Sequence, residues 1–135
     1  GLFYNFYVVN DTRNVCPVGW HIPDLTELQL LYDGLGGHLV AGGKLKSSGT
    51  NYWNAPNYNS TNSSGFSAIA NGHRTNSGSF WEQGQRSYTW STYSFIDANS
   101  GMLFGRAYWM RNDNETFYSA ALDARSAAPI RCVKD

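Results

Sequence analysis

Cys16-Pro17-Val18-Gly19-Trp20-His21-Ile22-Pro23-Asp24-Leu25-Thr26-Glu27-Leu28-Gln29-Leu30-Leu31-Tyr32-Asp33-Gly34 is the stretch from which the rest of the chain is read. Residues 16–23 carry two prolines and a glycine, too many interruptions for an element of any length. Asp24 then opens the clearest helix in the chain. It is a good N-cap, and Glu27 three residues later completes an Asp-x-x-Glu capping box. Leu25, Leu28, Leu31 and Leu35 recur at spacings of three and four, so one face of the helix is apolar and must lie on something. Gly34 reads as its stop. His21, between Trp20 and Ile22, reads as a packed or backbone-bonded histidine rather than a catalytic one.

Outward from that helix, Leu2 to Val9 is aromatic and β-branched and predicts a strand. Asn10 to Asn14 is a polar turn. His38 to Lys44 predicts a second, weaker helix. Gly34-Leu35-Gly36-Gly37 and Gly42-Gly43 read as helix stops, since none follows a strand as a phosphate-binding loop would. Ser47 to Gly65 is a long loop of Ser, Asn, Thr and Gly, in which Tyr52, Trp53 and Tyr58 pin it to the body; loops of that length are often functional. Short strands follow: Gly65–Ile69, Ser79–Trp81, Tyr88–Tyr93 with Tyr88, Trp90 and Thr92 on one face, Leu103–Met110, Thr116–Leu122 and Pro129–Val133. The strands are not separated by helices, so a doubly wound parallel sheet is excluded. The expected class is α+β, short antiparallel strands with two flanking helices and long loops, in a single domain over residues 1–135.

Composition narrows the function. Lys plus Arg is 10 and Asp plus Glu is 10. A chain with no basic excess is not expected to bind nucleic acid or an anionic membrane. No run of apolar residues is long enough to insert in a membrane. No charged segment followed by an apolar one opens the chain, so any secretory leader is expected to have been removed or to lie outside it. Gly 14, Asn 13, Ser 14 and Thr 8 stand beside nine Tyr and five Trp, the mix found in loop-built binding surfaces. Cys16 and Cys132 admit two readings. One is a disulfide closing a long loop and contributing about 2–4 kcal/mol. The other is two buried free thiols, which pack like small hydrophobes. An even count in an Asn-, Ser- and Tyr-rich chain leans to an extracellular setting.

No nucleophile motif, HExxH or zinc spacing occurs, so no enzyme activity, cofactor or metal is expected. Asp113-Asn114-Glu115 is a short oxygen-rich cluster that would suit calcium, but it lacks EF-hand spacing and reads first as a hairpin turn. The candidate ligand-binding residues are Tyr93, Phe95, Asp97, Asn99, Phe104, Arg106, Tyr108, Arg111, Asn112, Asp113, Asn114 and Tyr118. Aromatic rings would stack on a ligand while amides and guanidinium groups orient it. Strand alternation turns about half of the aromatics inward, and Trp90 and Trp109 are assigned to that half.

Several segments together resemble a known family. These are Gly1-Leu-Phe-Tyr-Asn-Phe-Tyr-Val-Val9, Cys16-Pro-Val-Gly-Trp-His-Ile-Pro-Asp24 with Glu27, Ala41-Gly-Gly-Lys-Leu-Lys46, Gly65-Phe-Ser-Ala68, Gly72-His-Arg74, Trp90-Ser-Thr92 and Ile130-Arg-Cys-Val-Lys-Asp135. In this order they resemble the Fibrobacter succinogenes major paralogous domain across the whole chain. The resemblance implies a C-type-lectin-like fold, more distantly shared with formylglycine-generating enzymes, in which terminal strands pair and a long loop and the last strands form the ligand face. One cysteine in each terminal motif looks structural in that setting. Family members resemble secreted or surface-exposed proteins of Bacteroidetes-like bacteria and their phages. Some resemble the hypervariable proteins of diversity-generating retroelements, whose C-terminal region is rewritten at template adenines. Here that region is Tyr93–Ala128. Randomising the adenines of an Asn AAC codon never yields Met, Trp, Lys, Glu or Gln, and only Met102, Trp109, Met110 and Glu115 in that stretch fall outside the permitted set. The animal-lectin triplets Glu-Pro-Asn and Trp-Asn-Asp are absent. The resemblance thus implies an extracellular, cell-surface or phage-borne recognition domain for a protein or cell-surface ligand, with a glycan-binding lectin or adhesin, calcium-assisted or not, as the alternative.

Overall fold

The computed structural model describes residues 2–135; Gly1, the first residue of the opening motif, lies outside the described residues. The chain is α+β. Tyr4–Asn5 (β1) is followed at once by one helical turn, Phe6–Val9 (α1). Trp20–His21 (β2) precedes two helices, Leu25–Gly34 (α2) and His38–Leu45 (α3). His73–Arg74 (β3) and Phe80–Trp81 (β4) are short. Arg86–Ile96 (β5), Leu103–Arg111 (β6) and Phe117–Asp123 (β7) are the long strands, and Ala127–Ala128 (β8) and Val133–Lys134 (β9) close the chain. All strand pairs are antiparallel. They form a meander β5-β6-β7, a sheet in the order β1-β8-β3-β4, and the pair β2-β9.

The meander carries a core on each face because its side chains alternate. Cross-strand register puts Tyr88, Trp90, Ala107 and Trp109 on one face. They pack with Phe6 and Val9 of α1, Cys16, Ile22, Ala124 and Ala128. Tyr108, Met110 and Phe117 face the other way, onto Leu28 of α2, Ala41 and Leu45 of α3, and Trp53, Ala68 and Ala70 of the long loop region. The helices thus cover only one end of the second face. Cys16 and Cys132 form a disulfide, with Cα atoms 5.9 Å apart and a separation of 116 positions in sequence. It joins the two segments that β2 and β9 also join.

The helix at Asp24 is capped as expected. Asp24 Oδ1 accepts from Glu27 N at 2.9 Å, and Glu27 Oε2 accepts from Asp24 N at 3.0 Å. Gly34 is its last residue. The chain turns away at Gly36 and Gly37, both at φ +97°, where a side chain would be strained.

Several expectations need correction. Residues 2–9 are extended only at Tyr4–Asn5, because Phe6 leaves the strand to fill the space over Gly105. A Cβ at Gly105 would lie 2.0 Å from that ring. Asn5 accepts from Val8 N and caps the turn. Gly42 and Gly43 are not stops but lie inside α3. A Cβ on either would come within 2.7 Å of a backbone oxygen, that of Glu115 or Asn59 respectively. The helix therefore rests backbone to backbone on Glu115 and Thr116, just before β7, and on Asn59 of the long loop. Gly65–Ile69 forms no strand, only one parallel bridge from Ala68 to Lys46. Pro129–Val133 is likewise not one strand; pairing falls on β8 and β9 at either side of it. Thr92 is exposed where Trp90 is buried, and it lies within the register shift of β5 between Trp90 and Ser94. There β5 advances four residues while β6 advances two, so pairing is interrupted but the alternation resumes in phase.

Candidate functional site

Beyond the reach of the two helices, the second face of the meander is open. Phe104 and Arg106 lie there on β6, and Phe95 pairs with Phe104 from β5. Their rings stack at 5.7 Å with planes 15° apart. Tyr93 stands 6.5 Å from Phe95, and the Arg106 guanidinium lies 5.7 Å over the Tyr93 ring. Tyr93 lies in a bulge in which buried Ser91 is the pin: its hydroxyl donates to Arg106 O at 2.9 Å. Tyr93 and Phe95 are 42% and 36% exposed. Arg106 makes no salt bridge among the described residues. At the adjoining turn, Asp97 Oδ2 accepts from Ser100 N at 2.8 Å and from its hydroxyl at 2.7 Å. Those bonds hold the Asp97 carboxyl below the usual carboxylate range. Asn99 is exposed at the tip. This end of the sheet therefore presents stacked aromatics, a free guanidinium, and a turn locked by its own hydrogen bonds.

The remaining sequence-predicted residues lie elsewhere. Tyr108 shares the face of Arg106 but is only 8% exposed, in the core under the helices. Arg111 to Asn114 sit at the other end of β6. Arg111 is seven positions along β6 from Phe104, roughly 23 Å at about 3.3 Å per residue. That end is an anchor. Arg111 pairs with Asp113 at 2.6 Å. Asn112 Nδ2 donates to Asn54 O and Ala55 O. Asn114 Oδ1 accepts from Thr116 N at 3.0 Å. Tyr118 points to the opposite face and stacks on Trp109 at 4.2 Å. Trp90 is fully buried, whereas Trp109 is only partly covered, held between Tyr118 and the Arg86 guanidinium at 4.4 Å.

Lys46 is the organising residue that sequence reasoning missed. It is fully buried, and its ammonium donates to Tyr58 O, Arg111 O and Asn114 O at 2.8, 2.9 and 2.8 Å. One side chain thus ties the long loop to the β6–β7 turn. Burial pulls its pKa down to about 8, while Asp113 and Glu115 act to raise it. Nothing in Gly-Gly-Lys-Leu-Lys distinguishes it from a solvated lysine; only the converging carbonyls do. His21 also differs from its reading. Its ring is bonded neither to backbone nor within a core, but to two carboxylates, Glu27 at 2.7 Å and Asp135 at 2.6 Å. Hydrogen bonds to Asp135 first, then Glu27, raise its pKa.

The acids of the oxygen-rich turn are engaged separately: Asp113 by Arg111, and Glu115 by Asn59 Nδ2 at 2.9 Å. Among the described residues no three His, Cys, Asp or Glu side chains converge as a metal site would require. No helix among them is long and apolar enough to cross a membrane.

The family model of the Fibrobacter succinogenes major domain matches residues 1–134. The chain belongs to this family. No curated protein and no solved structure matches it. The motifs by which this Fibrobacter succinogenes major domain is recognised in sequence are scaffold in the structure. The Cys16 and Cys132 segments are joined by the disulfide and by β2-β9. Ala41 to Lys46 supplies the glycines of the close helix contact and the buried lysine. At Gly72, φ is +66° and a Cβ would stand 2.2 Å from Trp81 O. Trp90-Ser91 provides a core tryptophan and the pin of the bulge. The open aromatic face belongs to none of these motifs.

Proposed function

We propose that this domain is a non-enzymatic, extracellular recognition module of C-type-lectin-like fold, whose ligand face is the open end of the meander. Tyr93, Phe95, Phe104 and Arg106 make the central contacts, with Asp97 and Asn99 at the rim. The observation that carries this reading is the stacked, half-exposed array of three aromatic rings beside a guanidinium without a salt bridge. Aromatics and Arg are the residues that most often dominate binding energy at protein interfaces. Here they stand on paired strands, so little ordering entropy is lost on binding. The pairing of terminal segments and the two flanking helices support the lectin-like reading of the fold. Diversification by a retroelement fits the same arrangement, because the open face is drawn from the stretch Tyr93–Ala128 while the scaffold motifs lie mostly outside it. Arg111, Asn112 and Asn114 serve that face only indirectly, by fixing the far end of β6.

The test has two arms. Sequencing the encoding locus across a natural population is expected to find substitutions concentrated at positions such as 93, 95, 104 and 106 and at adenines of a template copy. Changes scattered over core and surface alike would refute the diversification reading. Tyr93→Ala with Arg106→Ala, applied to a ligand found by screening cell-surface proteins and glycans, is expected to abolish binding with the fold intact. A glycan array with and without chelator distinguishes a calcium-assisted lectin. Chelator-sensitive glycan binding that survives the double substitution would move the site to another surface.

A further inference from the structure

Away from that face, a groove of about 560 Å³ runs between α2 and the C-terminal segment. Trp20, Leu28, Leu31, Phe66 and Val133 supply apolar walls. Leu30, 67% exposed, stands at the rim. The volume falls in the range of small-molecule sites, which are mostly apolar with a few fixed polar groups. Those groups are present. The Arg131 guanidinium lies 4.2 Å over the Phe66 ring, and Lys134 also lines the groove. Neither makes a salt bridge among the described residues. The one acid lining the groove, Glu27, is already engaged by His21 and by Asp24 N. Thr89 lines the groove from β5. It is 8% exposed, and its hydroxyl has no hydrogen-bond partner. A buried hydroxyl without a partner is costly, and a ligand atom would satisfy it.

We propose that this groove binds an amphiphilic carboxylate, an apolar chain or ring system lying along α2 with its anionic end at Arg131 and Lys134. Charge decides the class. Two cations without acidic partners beside an apolar trough complement an anion with an apolar body, and a neutral lipid would leave them unused. Contact with Phe66 keeps the Arg131 guanidinium at the groove, and a guanidinium can take a carboxylate by two parallel N–H groups. The site shares no residue with the open face of the meander, so it can fail or stand independently of the recognition reading.

Dodecanoate below its micelle concentration is the probe, with dodecanol as the neutral control of equal length. Binding is read by amide chemical shifts and by calorimetry. The expected result is saturable one-to-one binding that moves signals of α2 and residues 131–134. Loss of one charged contact is expected to weaken dodecanoate roughly tenfold in Arg131→Gln, and dodecanol is expected to bind the parent roughly tenfold more weakly than dodecanoate. Leu30→Asp, on an exposed position, places a like charge at the rim and is expected to weaken it as well. Thermal midpoints of both variants check that the fold is retained. Three results would overturn the proposal: no saturable binding, shifts centred on Tyr93 to Arg106, or equal binding of dodecanoate and dodecanol unaffected by Arg131→Gln.

Discussion

Replacing Lys46 with methionine keeps most of the side chain's volume and removes the ammonium. Three carbonyls, on Tyr58, Arg111 and Asn114, then face a methyl group. Each buried acceptor left unsatisfied costs about 1–3 kcal/mol, so the gross loss is on the order of 3–9 kcal/mol. An opposing gain comes from no longer burying a charge. The fall of the Lys46 pKa from 10.5 to about 8 corresponds to about 3 kcal/mol at about 1.4 kcal/mol per unit. Some carbonyls regain water if the loop opens, which trims the loss further. These terms leave about 0–6 kcal/mol at pH 7, where the ammonium is the main form, with a destabilisation of about 2–4 kcal/mol in the middle of that range. Urea unfolding followed by tryptophan fluorescence measures it, and amide hydrogen exchange shows where it falls. Exchange should accelerate in residues 47–65 and 111–114 before the meander core. A variant within about 0.5 kcal/mol of the parent, with exchange unchanged in both segments, would refute the view that this lysine holds them together.

Further outcomes follow from the same geometry. Reducing Cys16–Cys132, or replacing both with Ser, releases a crosslink spanning 116 residues and should cost about 4–5 kcal/mol on the chain-entropy model; an unchanged urea midpoint would contradict that. Asp24→Ala removes one half of the capping box and should cost about 0.5–2 kcal/mol, read from the same unfolding curve. Gly105→Ala drives a methyl into the Phe6 ring and should destabilise by about 1–3 kcal/mol or more, so parental stability would mean that Phe6 does not sit there. The His21 bridge makes stability depend on pH. Its folded pKa is raised, so its contribution is complete below the ordinary value of about 6.5 and is lost as pH rises through the folded value. The thermal midpoint should therefore decline as pH rises above about 6.5, and His21→Gln should flatten that decline; an equal slope in the variant would remove His21 as its source.

Local signals were legible because their physics is local. The capping box at Asp24 and Glu27 needs only residues three apart, and the leucine spacing needs only one helical face, so α2 lies where the sequence places it. The long strands of the meander, the absence of helices between them and the family resemblance were likewise readable, the last from motifs that prove to be scaffold. The candidate site was legible only as a stretch. Residues Tyr93 to Tyr118 contain the open aromatic face, but also a buried tyrosine, an anchoring turn and a ring on the opposite side.

Those divisions were decided by the tertiary structure. The register shift after Trp90 has no signal in the alternation, which runs in phase on either side of it, and its pin is a carbonyl on another strand. Phe6 leaves its strand because a glycine 99 positions later makes room for it. Lys46 becomes structural because three carbonyls from two distant segments converge on it. The groove beside α2 exists because the chain's last strand pairs with β2. In each case the deciding partner is far away in sequence and close in space. Composition and periodicity therefore determined the class and the helix of this domain, and its sequence motifs the family, while packing between distant segments determined which of its side chains meet solvent.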